Sequence, residues 1–456
     1  MTHSSPENTA ATAPPSRSVL KIVFLTLFVD LIGFSIIFPL FPAMLEYYSA
    51  QDPQSGLFAA FYNALQSLTD ALGIGEGHWG IIVLFGGLLG SLYSLLQFIG
   101  TPIFGAISDR VGRKPVLMLS LVGILISYLL WFFADSFALL VLARFLGGIM
   151  SANISTATAI VADVTEAKDR SKGMALVGIA FGLGFILGPA LGGLTALIDL
   201  TAYYPGLAAW GVNPFSMPAA VALVLTAFNL AYVYFKLPET RNFEAVEGTT
   251  RTNNPFALLR TEAYPGVTRT NLTYFLFLLA FSGMEFSLTF LAHDRLEYST
   301  GQNALMFLFV GFILAAMQGG YVRRKSSTIG PRRMTLHGLT MVVPALILVG
   351  MAGYWRSSLV LYIGLFLLAA GSAQATPCLT ALVSIYTPAE EQGRVLGIFR
   401  SLGALARAIG PLFAAALYWW IGPTIAYVLG GLFVLVPLTM ALRLPRNDLS
   451  ASDQTA

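Results

Sequence analysis

Long apolar runs broken by short polar segments repeat along the whole chain. The run "IIVLFGGLLGSLYSLLQFIGTPIF" gives way to Asp109, Arg110, Arg113 and Lys114, four charges in six positions, and then "VLMLSLVGILISYLLWFFA" resumes the apolar pattern. A helix needs about 20 mostly apolar residues to cross the hydrocarbon of a bilayer. Twelve stretches meet that requirement, near 19–45, 79–104, 116–134, 137–162, 173–198, 218–237, 272–293, 303–322, 335–352, 358–385, 394–421 and 424–444. Another apolar stretch, "LFAAFYNALQSLTDALGI" at 57–74, carries Asn63, Gln66, Thr69 and Asp70 on one side, while Phe61, Leu65, Leu68 and Leu72 recur at helical spacing. It predicts an amphipathic helix lying at the surface within the 46–78 loop.

Composition agrees with a membrane chain. Of the 456 residues 56% are hydrophobic and 11% charged, which leaves too little polar surface for a soluble protein of this size. Lys and Arg fall almost entirely in alternate connecting segments: Arg17 and Lys21, then Arg110 to Lys114, then Lys168 to Lys172, and on to Arg443 and Arg446. The other set of connections holds only Arg295 and Arg356. Basic residues stay on the cytoplasmic side, so the number of spans is even and both termini are cytoplasmic. Residues 1–18 are polar and rich in Pro, Ser and Ala, which predicts disorder. The first span serves as its own insertion signal. A lone Cys378 excludes an intrachain disulfide. Trp79, Trp131, Trp210, Trp355, Trp419 and Trp420 lie near span ends, where an interfacial belt is expected.

The longest cytoplasmic segment, 238–271, divides the spans six and six. It predicts an N-terminal bundle at 19–237, a linker, a C-terminal bundle at 272–444 and a cytoplasmic tail at 445–456. Aligning the fifth span with the eleventh puts Pro189 on Pro411 and Thr165 on Thr387, both 222 apart. Repeated halves around a midplane cavity are a common plan for secondary transporters.

"GAISDRVGRKP" resembles the cytoplasmic loop motif of the major facilitator superfamily, with Gly105, Asp109, Arg110, Gly112, Arg113, Lys114 and Pro115 at its characteristic positions. "GFILGPALGG" in the fifth span (Gly184, Gly188, Pro189, Gly192, Gly193) is similar to the motif of that superfamily's drug:proton antiporters. In "LVLARFLGG" Arg144 stands at the family's intramembrane arginine, with Gly147 where a glutamine is usual. Runs such as "MEFSLTFLAHDRLEYS", "QGGYVRR" and "RSLGALARAIGPL" resemble the tetracycline-efflux branch and its animal relatives. The resemblance implies twelve helices in two pseudo-symmetric six-helix bundles. It also implies a monomeric, proton-coupled antiporter in a bacterial inner membrane that exports amphiphilic drugs or organic ions by alternating access. A metabolite, organic anion or lipid transporter of the same fold is the alternative. By the same resemblance Asp109 meets the start of the eleventh helix near Gly393 and Arg113 pairs with Asp163, a clamp that latches the outward-open state.

Glycines 105 and 112 permit a tight turn in that loop. Charges inside spans are costly and therefore functional candidates. They are Asp30 in the first span, Arg144 in the fourth, Glu285 in the seventh, and Arg400 and Arg407 in the eleventh. A carboxyl in a low-dielectric cavity can take up and release a proton, while the arginines serve as counter-charges or anion-binding groups. The glycines of the fifth span let a neighbouring helix, the eighth, approach closely and block proton leakage. His3, His78, His293 and His337 are scattered, and neither G-x-S-x-G nor H-E-x-x-H nor a phosphate-cradling G-x-x-x-x-G-K-[ST] occurs. The chain is therefore read as a non-enzyme without cofactor, metal or nucleic acid, whose partners are a small-molecule substrate, protons and the bilayer.

Overall fold

The computed structural model describes residues 16–51, 56–71, 78–165, 170–241, 265–387 and 392–445. The expected disorder before residue 16, most of the linker (242–264) and the tail from 446 lie outside the described residues. Twelve helices are long and apolar enough to cross a membrane: α1 (Arg17–Gln51), α2 (Gly87–Val111), α3 (Arg113–Phe132), α4 (Phe137–Val164), α5 (Leu176–Tyr203), α6 (Ser216–Lys236), α7 (Gly266–Leu296), α8 (Thr300–Ser326), α9 (Pro331–Trp355), α10 (Ser358–Ile385), α11 (Val395–Ile421) and α12 (Pro423–Leu442). The stretch at 57–74 forms a helix over Leu57–Ala71, and its Phe58 packs edge-on against Phe137 of α4.

Local sequence sets where these helices start and bend. Ser136 and Ser357 accept hydrogen bonds from the Leu139 and Val360 amides at the heads of α4 and α10, and Ser299 with Gln302 forms a capping box at α8. Pro39 and Pro42 remove donors from α1, which passes through a 3-10 turn at Phe38–Leu40. A second 3-10 turn, Ser151–Asn153, interrupts α4, and a π-turn at Met317–Val322 widens α8. Beyond Ser326 the chain stays helical to Ile329, and Gly112 and Gly330 adopt positive φ immediately before α3 and α9, which lets two helices join across a single residue at each place. Gly105, expected in that turn, lies instead within α2, against Ser155 of α4.

In the first half α1 packs on α5 and α6, and α3 on α4 and α6. In the second, α7 packs on α11 and α12, and α9 on α10 and α12. The halves meet where α2 crosses α11 and where α5 crosses α8. Their repetition extends to single hydrogen bonds. Ser35 Oγ donates to Gly184 O at 3.3 Å and Ser282 Oγ to Ala406 O at 3.1 Å, with the acceptors 222 apart. Thr165 and Thr387 each donate to the carbonyl four residues back, at 2.6 Å in both cases. Trp210, Trp355 and Trp420 are exposed, as an interfacial belt requires, but Trp131 is buried beside Tyr128.

Candidate functional site

Glu285 of α7 and Arg400 and Arg407 of α11 line one cavity of about 90 Å³ at the junction of the halves. Arg400 and Arg407 are seven residues apart, hence on one face of their helix. Both guanidinium groups sit over aromatic rings: Arg400 lies 5.1 Å from the Phe181 centroid and 5.5 Å from that of Phe399, and Arg407 lies 5.7 Å from Phe181 and 5.3 Å from Phe185. Such contacts offset part of the desolvation of a buried cation. Phe181 and Phe185 belong to α5, so the arginines of one half rest on aromatic rings of the other. Glu285 and Arg407 act on each other electrostatically, but among the described residues no ion pair joins them. Drug-sized ligands occupy sites of about 300–1,000 Å³, and the cavity is smaller than that in this structure.

Asp30 and Arg144 do not line that cavity. The five intramembrane charges fall into two groups, because Asp30 and Arg144 point into the core of the first half. Asp30 accepts a hydrogen bond from the Asn153 carboxamide, which the 3-10 turn of α4 presents to α1. Arg144 lies 4.4 Å from the centroid of the Tyr93 ring on α2 rather than on a carboxylate. Asp30 Oδ1, Asn153 Oδ1 and Arg144 Nε and Nη2 are buried without hydrogen-bond partners. Unsatisfied buried polar atoms of this kind are rare. Gln97, also of α2, ties the same turn through Ser151 Oγ at 3.1 Å.

The glycine face of α5 turns mainly to α1 and not to α8. A methyl group added at Gly184 would stand 3.0 Å from Phe28 O, and one at Gly188 2.7 Å from Ile32 O, while Gly192 abuts the Ile36 carbonyl. Gly193 alone of this set meets α8, at Ala304. Pro189 is buried inside the helix between these contacts.

At the end of the first half that carries the loop between α2 and α3, Arg113 organises a charge cluster. Its Nε donates to Asp163 at 2.9 Å and its Nη1 to Asp109 at 2.6 Å and to Ser108 Oγ at 2.7 Å. Asp109 also accepts from Arg241, which follows α6, at 3.3 Å. Arg110 is exposed. Residues 388–391, just ahead of the helix start near Gly393 expected to meet Asp109, lie outside the described residues. Glu239 occupies the head of α3, accepting from the Arg113 amide at 2.8 Å and the Lys114 amide at 3.1 Å, where the helix dipole favours an anion.

Asn153, Tyr93 and Glu239 escaped the sequence reading. Asn153 left a signal, since an amide in the middle of an apolar run needs a partner. Glu239 left one in "LPET", a carboxylate directly after a span.

Twelve spanning helices in two related bundles, with buried charges at their junction, define a membrane transporter and not an enzyme. The family model described as "Major Facilitator Superfamily" matches residues 23–411 and 326–455, and the chain belongs to that superfamily. It is 38% identical to the human "Major facilitator superfamily domain-containing protein 10" over 444 residues, 92% of each chain. It is 26% identical to the "Tetracycline resistance protein, class C" of Escherichia coli over 430 residues, 93% of this chain and 96% of the relative. Among solved structures it superimposes on the "human organic anion transporter MFSD10 (TETRAN)" with a TM-score of 0.75 and 37% identity, over 94% of this chain and all of the other. A D-xylose-proton symporter shares the fold alone, with a TM-score of 0.71 at 16% identity over 95% and 98% of the two chains. The protein is an integral, multi-pass membrane protein. The expected bacterial inner membrane is not supported, because the relatives at 36–38% identity are human, mouse and bovine.

Proposed function

We propose that the protein is a monomeric, proton-coupled antiporter that exports amphiphilic organic ions by alternating access. The observation that carries this reading is the junction cavity, where aromatic walls surround Glu285, Arg400 and Arg407 and so suit a ligand with an apolar body and a charged end. The relatives named for tetracycline resistance support a drug as cargo, with resistance as the consequence of its export in this reading. In this scheme Asp30 and Glu285 carry protons and Arg144 tunes at least one of them. The cluster of Asp109, Arg113 and Asp163 latches one state, with Gly105, Arg110 and Gly112 shaping its loop. The glycines at 184, 188, 192 and 193, with Pro189, keep the helix contacts tight against proton leakage.

A second reading, an organic anion as cargo, is favoured by two guanidinium groups facing a single carboxyl and by the organic anion transport named for the human relative. Purified protein in liposomes with an imposed pH gradient tests both readings against permanently charged fluorescent amphiphiles of either sign. Movement that requires the gradient is the expected result. A protein that moves neither sign under any gradient is not such a transporter.

A further inference from the structure

Arg407 and Glu285 enter the cavity from different helices, α11 and α7, and feel each other without touching. Arg407 rests on the rings of Phe181 and Phe185, and Arg400 on those of Phe181 and Phe399. The Tyr274 hydroxyl is a further partner of both, yet Arg407 Nε is buried without a hydrogen-bond partner. A buried guanidinium held by rings and one hydroxyl remains poorly compensated for its lost water, and it can accept an anionic group. An anion bound there is attracted by both arginines and repelled by an ionised Glu285. Protonating Glu285 removes that repulsion and takes the charge of the pocket from about plus one to plus two, counting two guanidinium groups with or without one carboxylate. Anion and proton therefore strengthen each other's binding, and by thermodynamic reciprocity the effect is equal in both directions. A cation in the same place has the opposite relation, since it competes with the proton for Glu285. The other charged and titratable groups facing Glu285 are Arg400 and Arg407 from α11 and Tyr274 from α7 itself. Lining residues from α5, α8 and α10, among them Gln318, Ser372 and Thr376, do not titrate. From α12, Tyr427 donates its hydroxyl hydrogen to Met284 O at 3.2 Å and accepts from Ser287, which occupies it in the packing.

We infer that the sign of the cargo's charge sets the direction of coupling in this cavity: an organic anion travels in the same state as the Glu285 proton and in its direction, whereas an organic cation displaces that proton and moves against it. The inference rests on the cargo reading above. It gives proton exchange to cations and proton symport to anions. The proton enters Glu285 from the side to which the cavity is open and leaves with the anion on the other side.

The test uses the full-length protein in liposomes, with the membrane potential clamped by valinomycin and equal potassium so that only a pH step drives movement. Pyrenesulfonate and (pyrenylmethyl)trimethylammonium serve as probes, because neither carries a proton of its own. The sulfonate should accumulate on the alkaline side and the ammonium on the acidic side. Sulfonate affinity should fall about tenfold or more as pH rises and Glu285 ionises, within the usual range of coupling between two bound ligands. Glu285→Gln should hold the affinity near its low-pH value at every pH. Should that variant fail to insert, the pH profile of the unmodified protein carries the same decision. Sulfonate accumulation on the acidic side, flux indifferent to the pH step, or a pH profile that survives in Glu285→Gln overturns the inference and leaves the cargo reading standing. Movement of neither probe overturns the cargo reading and this inference with it.

Discussion

Gly188 on α5 and Gly410 on α11 are 222 residues apart, and a methyl group added to either would stand 2.7 Å from a carbonyl oxygen of the neighbouring helix, Ile32 or Leu279. The same separation sets Gly178 and Phe185 on α5 against Arg400 and Arg407 on α11. The ends of the halves at Gly112 and Gly330 differ in the same way. Arg113, after Gly112, binds two carboxylates, whereas Arg332, after Gly330, donates to the carbonyls of Leu442 at 2.6 Å and Leu444 at 3.0 Å at the end of α12. The repeat is retained where backbone meets backbone, since no side chain fits there. It diverges where side chains face the cavity or gather at these ends. One half supplies a buried charge cluster around Arg113 and a sequestered carboxyl, and the other supplies the charges that line the cavity.

The largest effect should come from removing both carboxyls. An amide nearly preserves the shape and abolishes titration, so the double variant Asp30→Asn, Glu285→Gln should lose proton-driven accumulation altogether while retaining counterflow. The single variants sharpen the contrast between halves. Glu285→Gln should remove the pH dependence of ligand binding, because Glu285 lines the cavity. Asp30→Asn should leave that dependence in place and still prevent uphill transport, because Asp30 sits apart on Asn153. Proton-driven accumulation by the double variant at the parent level would remove both carboxyls from the coupling mechanism and leave them a structural role.

The scaffold comparison is broken or upheld by stability. Gly188→Ala and Gly410→Ala each force a methyl group against backbone, and overpacking of this kind costs about 1–3 kcal/mol. Their thermal unfolding in detergent should shift downward by similar amounts. A large loss at one position and none at the other would show that only one half depends on the close contact.

A smaller effect separates the ends at Gly112 and Gly330. Asp109→Asn weakens charge-assisted bonds to Arg113 and Arg241, worth about 1.5–3 kcal/mol each when fully lost, and should slow transport about tenfold with normal expression. Arg332→Gln gives up an interaction at a helix C-terminus, worth about 0.3–1 kcal/mol, and should slow it less than about fivefold. Initial rates at saturating ligand decide the matter, and equal losses would mean that both ends latch.

The spans and the charged loop were legible in the sequence because lipid imposes length and apolarity on every crossing segment and leaves most charges to the connections. The contacts among helices were not. Helices such as α2 and α5 are apolar on all sides, so their pattern does not say which face meets which neighbour. Hence the glycines of α5 were assigned to α8, although most of them lie against α1. Rotational phase also decided the fate of Asp30 and Arg144, which the sequence grouped with the cavity charges and the fold turns into the first half's core. Gly105 was misplaced for a simpler reason: α2 continues to Val111, and Gly112 alone makes the turn.

The smallest expected effect concerns Gly397, near the start of α11. Nothing stands within 4 Å of a methyl group added there, and the corresponding residue 222 positions earlier is already an alanine, Ala175. In a helix interior alanine is favoured over glycine by about 0.5–1 kcal/mol, chiefly through the lower entropy of the unfolded chain. Gly397→Ala should therefore raise thermal stability slightly in this conformation. Transport is the more telling measurement, because alternating access obliges the open space beside Gly397 either to persist or to close in the other state. An unchanged rate means that α11 keeps its clearance at this point throughout the cycle, as the alanine of the first half implies. A slower rate with undiminished stability would mean that a neighbouring helix moves in against Gly397, and would give the two halves different paths of motion as well as different chemistry.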